Sequence, residues 1–151
     1  MARNRIRVNA PAGTVFAVLS DPRAYAGFVV GTKRIRRFDP TWPELGSAFH
    51  HTIGTGPMML RDATRVVEVE DGHRLVLEAG MGPIGVSRIT FTLNGDGYST
   101  NVTMVEYPCA GPLAQIRNSL IDGLFTLRNS RLLRRLKRLA ERREQQRAQL
   151  A

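Results

Sequence analysis

Glu106 combines a carboxyl group with a strand position that the surrounding residues predict to be buried. Side chains alternate between the two faces of a strand, so Val102, Met104 and Glu106 share one face of the segment 99–107. Burial raises the pKa of a carboxyl group and suits it to general acid or base catalysis near neutral pH. The alternative is a structural carboxylate at the strand end, which pairs with an arginine or caps the following helix.

His51 is the second candidate proton carrier. In the segment 47–55 it shares a face with Phe49 and Ile53, whereas the adjacent His50 points to the opposite face. An imidazole near its ordinary pKa exchanges protons readily close to neutral pH, so His51 is a candidate partner for a buried carboxyl group. Because neighbouring histidines on a strand point apart, they do not ligate one ion, and we predict no metal site.

The same alternation predicts an apolar lining around these two side chains. One strand face in the segment 86–93 and a helical stripe near the C-terminus supply further apolar residues. A space lined in this way suits an apolar or aromatic ligand that a few polar groups orient. Alternatively, the side chains meet and fill the space as an ordinary core. The predicted ligand-binding residues are Phe49, Ile53, Ile89, Phe91, Leu93, Val102, Met104, Ile116, Leu120 and Leu124, and Leu127 continues the helical stripe.

The elements that must position these residues follow from periodicity and turn signals. Apolar and polar residues alternate in seven segments, and turns such as Asp71-Gly72 separate them at hairpin spacing. We therefore predict an α+β fold with a seven-stranded antiparallel sheet, two short helices after the first strand and one long C-terminal helix. The predicted strands are 5–8, 33–38, 47–55, 61–70, 73–79, 86–93 and 99–107, and the short helices lie around 15–19 and from 22 toward 28.

Most of the net charge of +9 lies at the end of the C-terminal helix. We expect this helix to span about 111–147 and residues 148–151 to form a disordered tail. Its basic end, 128–147, has nine basic and two acidic side chains, which leaves a net charge of only +2 for the remainder. Arginines on one helical face could bind an anionic membrane or nucleic acid, or could simply be solvated. The arginines that share this face are Arg128, Arg131, Arg135, Arg138 and Arg142.

Length and composition limit the classes of protein to consider. A chain of 151 residues, 42% of them hydrophobic, is sufficient for one domain with a buried core. The single cysteine excludes an internal disulfide and a cysteine-rich zinc site. Without a bilayer-length apolar stretch or a leader-like segment, we expect a cytoplasmic protein. The glycine motif at 80–85 precedes a strand pattern rather than a helix, so it predicts a hairpin loop, and we predict no nucleotide or other cofactor.

Short motifs at the expected element positions carry a family resemblance over nearly the whole chain. They are Arg7-Val8-Asn9-Ala10-Pro11-Ala12, Val15-Phe16-Ala17-Val18-Leu19-Ser20-Asp21-Pro22, Leu45-Gly46, Arg74-Leu75-Val76-Leu77 and Leu136-Lys137-Arg138-Leu139-Ala140-Glu141. Together with the element order they resemble the START-like (SRPBCC, helix-grip) superfamily, particularly its polyketide cyclase/dehydrase and lipid-transport branch. The resemblance implies a single START-like domain over 1–147, in which a curved sheet wraps around the long helix and a ligand cavity lies between them.

Three functions are compatible with these observations. The first is binding or transport of a hydrophobic or aromatic small molecule, lipid-like or polyketide-like, in the cavity. The second is a polyketide aromatase/cyclase-type enzyme, in which Glu106 and His51 move protons while the pocket holds the chain for aldol closure and dehydration. The third is an interaction with membrane or RNA through the basic helix end. A fold of this kind hosts carriers, receptors and enzymes, so the residues of the site must decide.

Overall fold

Seven antiparallel strands form one curved sheet in a computed structural model that describes residues 1–29, 32–55, 57–116 and 118–150. The strand order across the sheet is β1-β7-β6-β5-β4-β3-β2. Strands β2 to β7 are joined as successive hairpins, and β1 closes the sheet by pairing with β7. The strands are β1 Ala2–Val8, β2 Thr32–Phe38, β3 Ala48–Thr55, β4 Met58–Glu70, β5 Arg74–Gly80, β6 Val86–Gly95 and β7 Thr100–Ala110.

Within the described residues, three helices and three short 3-10 turns complete the fold, with two of the helices between β1 and β2. Asp21 initiates the first 3-10 turn, because its side chain accepts a hydrogen bond from the backbone N–H of Arg23 (3.1 Å) and Pro22 occupies the first position. The helices are α1 Ala12–Leu19, α2 Tyr25–Phe28 and α3 Ser119–Leu150, and the 3-10 turns are Pro22–Ala24, Gly82–Ile84 and Pro112–Gln115. The predicted α+β helix-grip architecture is confirmed.

The long helix differs from its predicted range at both ends. It begins at Ser119 rather than near 111, because the residues from Pro112 form only a 3-10 turn. The side chain of Asn118 then accepts a hydrogen bond from the N–H of Leu120 (2.8 Å), as an N-terminal cap does. At the other end the helix continues to Leu150 instead of giving way to a disordered tail after 147, since 148–150 contain no glycine or proline.

The buried face of α3 packs across β1 and against α1 and α2. Its buried residues follow helical spacing, and they join the sheet residues in one apolar core. Polar contacts hold the C-terminal half of α3 in place: Arg143 pairs with Asp21 (2.8 Å), and Glu144 accepts a hydrogen bond from Thr14 (2.7 Å). No helix in the described ranges is long and apolar enough to span a membrane. The buried face consists of Asn129, Leu132, Leu133, Leu136 and Ala140.

Candidate ligand-binding cavity

A narrow cavity lies between the concave face of the sheet and the middle of α3. The space available to the centre of a water molecule is about 70 Å³, enough for a few waters. Strands β3 to β7 form the floor, α2 and the start of β2 form one side, and α3 forms the roof. The side chains that line it are mainly apolar: Tyr25, Val29, Phe49, Leu77, Ala79, Met81, Ile89, Phe91, Met104 and Leu132, with Thr32, His51, Thr64, Ser87, Glu106 and Arg128 as the polar members and Gly80 at the loop.

One wall of the cavity contains the carboxyl group of Glu106, whose side chain is only 1% exposed. Its Oε1 accepts hydrogen bonds from Arg128 and from Asn129, both at 3.4 Å, close to the longest distance that still counts as a bond. Burial raises the pKa of Glu106, and the contacts with Arg128, Asn129 and Ser87 only partly oppose this effect. The protonated carboxyl is therefore populated at higher pH than in water.

The imidazole of His51 lies on β3 and is also buried. Its Nε2 shares a hydrogen bond with Oγ1 of Thr64 (3.0 Å), whereas Nδ1 is buried and has no hydrogen-bond partner in the described part of the chain. Burial lowers the pKa of His51, and the nearby carboxylate of Asp62 opposes this shift only in part. The imidazole is therefore neutral at neutral pH, and its Nδ1 is enclosed by the surrounding protein.

An aromatic cluster closes the end of the cavity near α2. Tyr25 stacks at a tilt on Phe49 with a centroid distance of 4.8 Å, and Trp42 packs edge-on against both rings. The Tyr25 hydroxyl and the Trp42 indole N–H both donate to the carbonyl oxygen of Leu19, at 2.7 and 3.1 Å. These two donors already form hydrogen bonds within the protein. The aromatic cluster therefore presents the faces and edges of its rings to a ligand, rather than hydrogen-bond donors.

The sequence correctly predicted which strand faces point inward. Glu106, Met104 and Val102 are all buried, as are Phe91 and Leu93. The placement of the predicted lining residues on the sheet divides into three groups. Phe49, Ile89, Phe91 and Met104 contact the cavity together with His51 and Glu106; Leu93 and Val102 belong to the packed core beyond it; and the side chain of Ile53 lies outside the described part of the structure.

The predicted contribution of the helix to the cavity is wrong. Ile116, Leu120 and Leu124 are 52%, 68% and 58% exposed, so they face solvent rather than the sheet, and Leu127 is 52% exposed. The prediction followed the leucines of the first helical turns, whereas tertiary packing selects the opposite face of α3, which contains Leu132. Periodicity locates an apolar stripe on a helix, and it does not determine which of two stripes is buried.

Several residues of the site were missing from the sequence prediction. Arg128 was assigned to the basic surface, but it lines the cavity and pairs with Glu106. The remaining members of that surface, Arg131, Arg135, Arg138 and Arg142, are exposed as predicted. Thr64, the partner of His51, could have been identified from the alternation of β4, whereas Asn129 is one polar residue within a leucine-rich helix and gave no signal.

Asp62 anchors the loop between β5 and β6 at the edge of the cavity. Its Oδ2 accepts a hydrogen bond from the N–H of Gly82 (2.8 Å), and a Cβ atom at Gly80 would overlap the same carboxylate. Asp62 also lies opposite His51 in the β3–β4 register. One carboxylate therefore positions the loop that carries Met81 and contributes to the electrostatic environment of His51.

Glu106→Gln should change how stability depends on pH. A carboxyl whose pKa is raised by folding stabilises the folded state fully below its ordinary pKa of 4.5, and this stabilisation is lost as pH rises through the folded pKa. The wild type should therefore lose free energy of unfolding relative to Glu106→Gln above pH 4.5, by at most about 1.4 kcal/mol per pH unit, and then level off. Urea unfolding of both proteins between pH 4.5 and 8 measures this difference; a pH-independent difference, or one of opposite sign, would contradict the assignment.

Comparison with known proteins agrees with the fold. The family described as polyketide cyclase/dehydrase and lipid transport matches residues 2–141. Among curated proteins, no sequence matches this chain.

Three solved structures illustrate the similarity. The Zhui aromatase/cyclase from Streptomyces sp. R1128 has a TM-score of 0.74 at 15% identity, with 94% of this chain and 93% of that chain covered. A conserved protein from Geobacillus kaustophilus has a TM-score of 0.69 at 15% identity, with 93% and 94% covered. The di-domain ARO/CYC BexL from the BE-7585A biosynthetic pathway has a TM-score of 0.68 at 16% identity, with 93% of this chain and 46% of that chain covered. At these identities the structures show a shared fold, and by the match over residues 2–141 the chain belongs to the polyketide cyclase/dehydrase and lipid-transport family.

Proposed function

We propose that this protein binds a hydrophobic small molecule, lipid-like or polyketide-like, in the cavity between the sheet and α3. The observation that carries the proposal is a cavity with mainly apolar walls that also contains two buried ionisable side chains, those of Glu106 and His51. A ligand with an apolar body and one hydroxyl or carbonyl group would contact the rings and methyl groups and also hydrogen-bond with one of these polar side chains. Similarity to two proteins described as aromatase/cyclases supports an aromatic or polyketide ligand.

Ligand binding requires the cavity to widen. Its volume of about 70 Å³ is smaller than the roughly 300–1,000 Å³ of sites that enclose drug-sized ligands. Met81 is a flexible thioether side chain on the β5–β6 loop, and Arg128 remains 34% exposed while it contacts Glu106. We infer that a ligand enters between these two side chains as they swing outward.

The test measures the binding of 2-naphthol, a fluorescent fused aromatic alcohol. It compares the wild type with a variant in which a larger side chain fills the cavity. Ala79 lines the cavity from β5, and Ala63 lies on the neighbouring β4 one position before the cavity-lining Thr64, so its side chain is on the other face. Ala79→Phe should weaken 2-naphthol binding at least tenfold, because the added ring occupies the ligand's space. Ala63→Phe adds the same volume outside the cavity and should leave the affinity within about twofold of wild type.

Two outcomes would overturn the proposal. The first is 2-naphthol binding that Ala79→Phe leaves unchanged while circular dichroism shows that both variants are folded. The second is an equal affinity of the wild type for 2-naphthol and for naphthalene, since the hydroxyl should gain a hydrogen bond from the buried polar groups. Fluorescence titration at pH 7 measures both quantities.

A second candidate function, an aromatase/cyclase-type reaction, is favoured by one specific observation. Two ionisable groups line one cavity, and burial raises the pKa of Glu106 and lowers that of His51, so burial shifts both groups toward their neutral forms. In an aldol closure, neutral His51 would take the proton from carbon as the enolate attacks a carbonyl, and protonated Glu106 would give its proton to the resulting alkoxide oxygen. In the dehydration, the His51 imidazolium would donate its proton to the departing hydroxyl group, which leaves as water. The Glu106 carboxylate would take the proton from the adjacent carbon, so that both groups return to their starting protonation states.

A further inference from the structure

The solvent-facing side of α3 changes from leucine to arginine along its length. Positions 120, 124, 127, 131, 134 and 138 are spaced by alternating steps of four and three, so their side chains lie on one side of the helix. Leu120, Leu124 and Leu127 occupy the first part of this side and are 68%, 58% and 52% exposed. We call the whole side the Leu–Arg face, which comprises Leu120, Leu124, Leu127, Arg131, Arg134, Arg135 and Arg138.

The arginine part of this face is electrostatically unbalanced. Arg131, Arg134, Arg135 and Arg138 line one shallow surface depression, and no acidic side chain in the described ranges forms an ion pair with any of them. The acidic residues that follow on α3 are engaged elsewhere: Glu141 accepts from Lys137 and from the N–H of Asn9, and Glu144 accepts from Thr14. Four guanidinium groups therefore remain available to an external anion.

We propose that the Leu–Arg face docks on an anionic lipid bilayer. Exposed leucines on a folded surface indicate a contact with an apolar medium, and the adjacent arginines are suited to phosphate groups at the depth of lipid headgroups. A second copy of the chain is a poor occupant, because packing two such faces together would place arginines against arginines or against leucines. Nucleic acid would engage the arginines only, since the face contains no aromatic side chain for base stacking.

The docking surface begins next to the cavity lining along the chain. Arg128 directly follows Leu127, lines the cavity and contacts Glu106 at 3.4 Å. The docking surface itself shares no residue with the cavity lining, so its test is independent of ligand binding.

The experiment compares binding to vesicles of phosphatidylcholine alone and with 30% phosphatidylglycerol by cosedimentation. One variant replaces the three leucines by serine (L120S/L124S/L127S), and a second is R131A/R135A. The control is R3A/R5A, which removes the same charge from two exposed arginines of β1, on the outer sheet surface. Wild type should prefer the anionic vesicles; the leucine variant should bind them at least tenfold more weakly and R131A/R135A about thirtyfold more weakly, while R3A/R5A stays within threefold.

Three results would overturn the proposal. The first is an equal loss in R3A/R5A and R131A/R135A, which would indicate attraction by total charge. The second is anionic-vesicle binding that the leucine variant retains in full, and the third is tighter binding to a 20-nucleotide RNA that depends on the arginines and not on the leucines. Circular dichroism should show that all variants are folded, so the docking test does not depend on the cavity proposal.

Discussion

Glu106→Gln is expected to lower the rate of an intramolecular aldol closure, measured with a short poly-β-keto ester, by at least about 100-fold relative to the wild-type protein. The substitution keeps the shape of the side chain and its contacts with Arg128 and Asn129, but the amide does not supply a proton to an alkoxide. Because shape is preserved, the affinity for 2-naphthol should stay within about threefold of wild type. Turnover and binding are therefore predicted to separate, which a merely structural carboxylate would not produce.

Glu78→Gln is the matched control for this reaction. Glu78 lies on β5 between the inward-facing Leu77 and Ala79, so its side chain is on the outer sheet face, where it pairs with Arg88 (2.5 Å). This variant should retain the wild-type rate. If wild type and Glu106→Gln accelerate the reaction equally over the uncatalysed rate, Glu106 does not take part in catalysis. If the wild type does not accelerate the reaction at all, the enzyme function is rejected, and the binding proposal is unaffected.

Gly85→Ala is expected to reduce the free energy of unfolding by about 3 kcal/mol, a large part of the 5–15 kcal/mol typical of a domain. Gly85 has φ of 137° and ψ of −152°, a region that is essentially restricted to glycine. A Cβ atom there would also overlap the carbonyl oxygen of Ala110, where the turn after β5 meets the end of β7. The backbone would have to separate these two segments, and the loop that carries Met81 would move with them.

Gly97→Ala distinguishes the two causes of the destabilisation by Gly85→Ala, which are the unfavourable backbone conformation and the overlap of the Cβ atom with Ala110. Gly97 also has a positive φ, 95°, but a Cβ atom at this position would meet no atom within 4 Å. Its replacement should cost only the conformational part, about 1 kcal/mol. Urea denaturation of both variants measures the difference. If the two substitutions destabilise the protein equally, the close approach of Gly85 to Ala110 does not contribute, and the proposed link between that contact and the cavity loop is wrong.

The sheet was predictable because its sequence pattern and its physical environment agree. Each strand has one face on a common core, so alternation shows which residues point inward, and this is why Glu106 and His51 were located on cavity walls. Turn signals such as Asp71-Gly72 defined the hairpins and therefore the antiparallel neighbours. β1 pairs with β7 across more than 90 residues of sequence, and its place came from the family resemblance rather than from a local signal.

The helix shows where local patterns are insufficient. α3 carries two apolar stripes, and the stripe that includes Leu120 and Leu124 comes first along the chain after the last strand, β7. Burial instead follows Leu132 and Leu136, because the helix starts later, at Ser119, and packs across β1. The contact between Arg128 and Glu106 depends on that rotation, so the environment of the buried carboxyl group could not be derived from either segment alone.

The protonation states of the polar groups in the site also depend on tertiary packing, because their neighbours come from other elements. His51 was identified from its strand face, but its neutral state depends on burial and on Thr64 and Asp62 from the adjacent strand. The cavity volume is likewise a property of packed side chains: the sequence left a hollow and a filled core as alternatives. The structure shows a narrow cavity between these extremes, and ligand binding depends on whether it opens.

The most direct test of the cavity proposal is a titration of ¹³C-methyl-methionine-labelled protein with 2-naphthol by NMR. Met104 and Met81 line the cavity, whereas Met1 and Met59 are 70% and 55% exposed. We predict a saturable shift of the Met104 methyl resonance, from the ring current of the bound naphthalene ring system, with little change at Met1 and Met59. A titration in which Met104 stays unshifted up to the solubility of 2-naphthol, or in which only the exposed methionines respond, would contradict a ligand site between the sheet and α3.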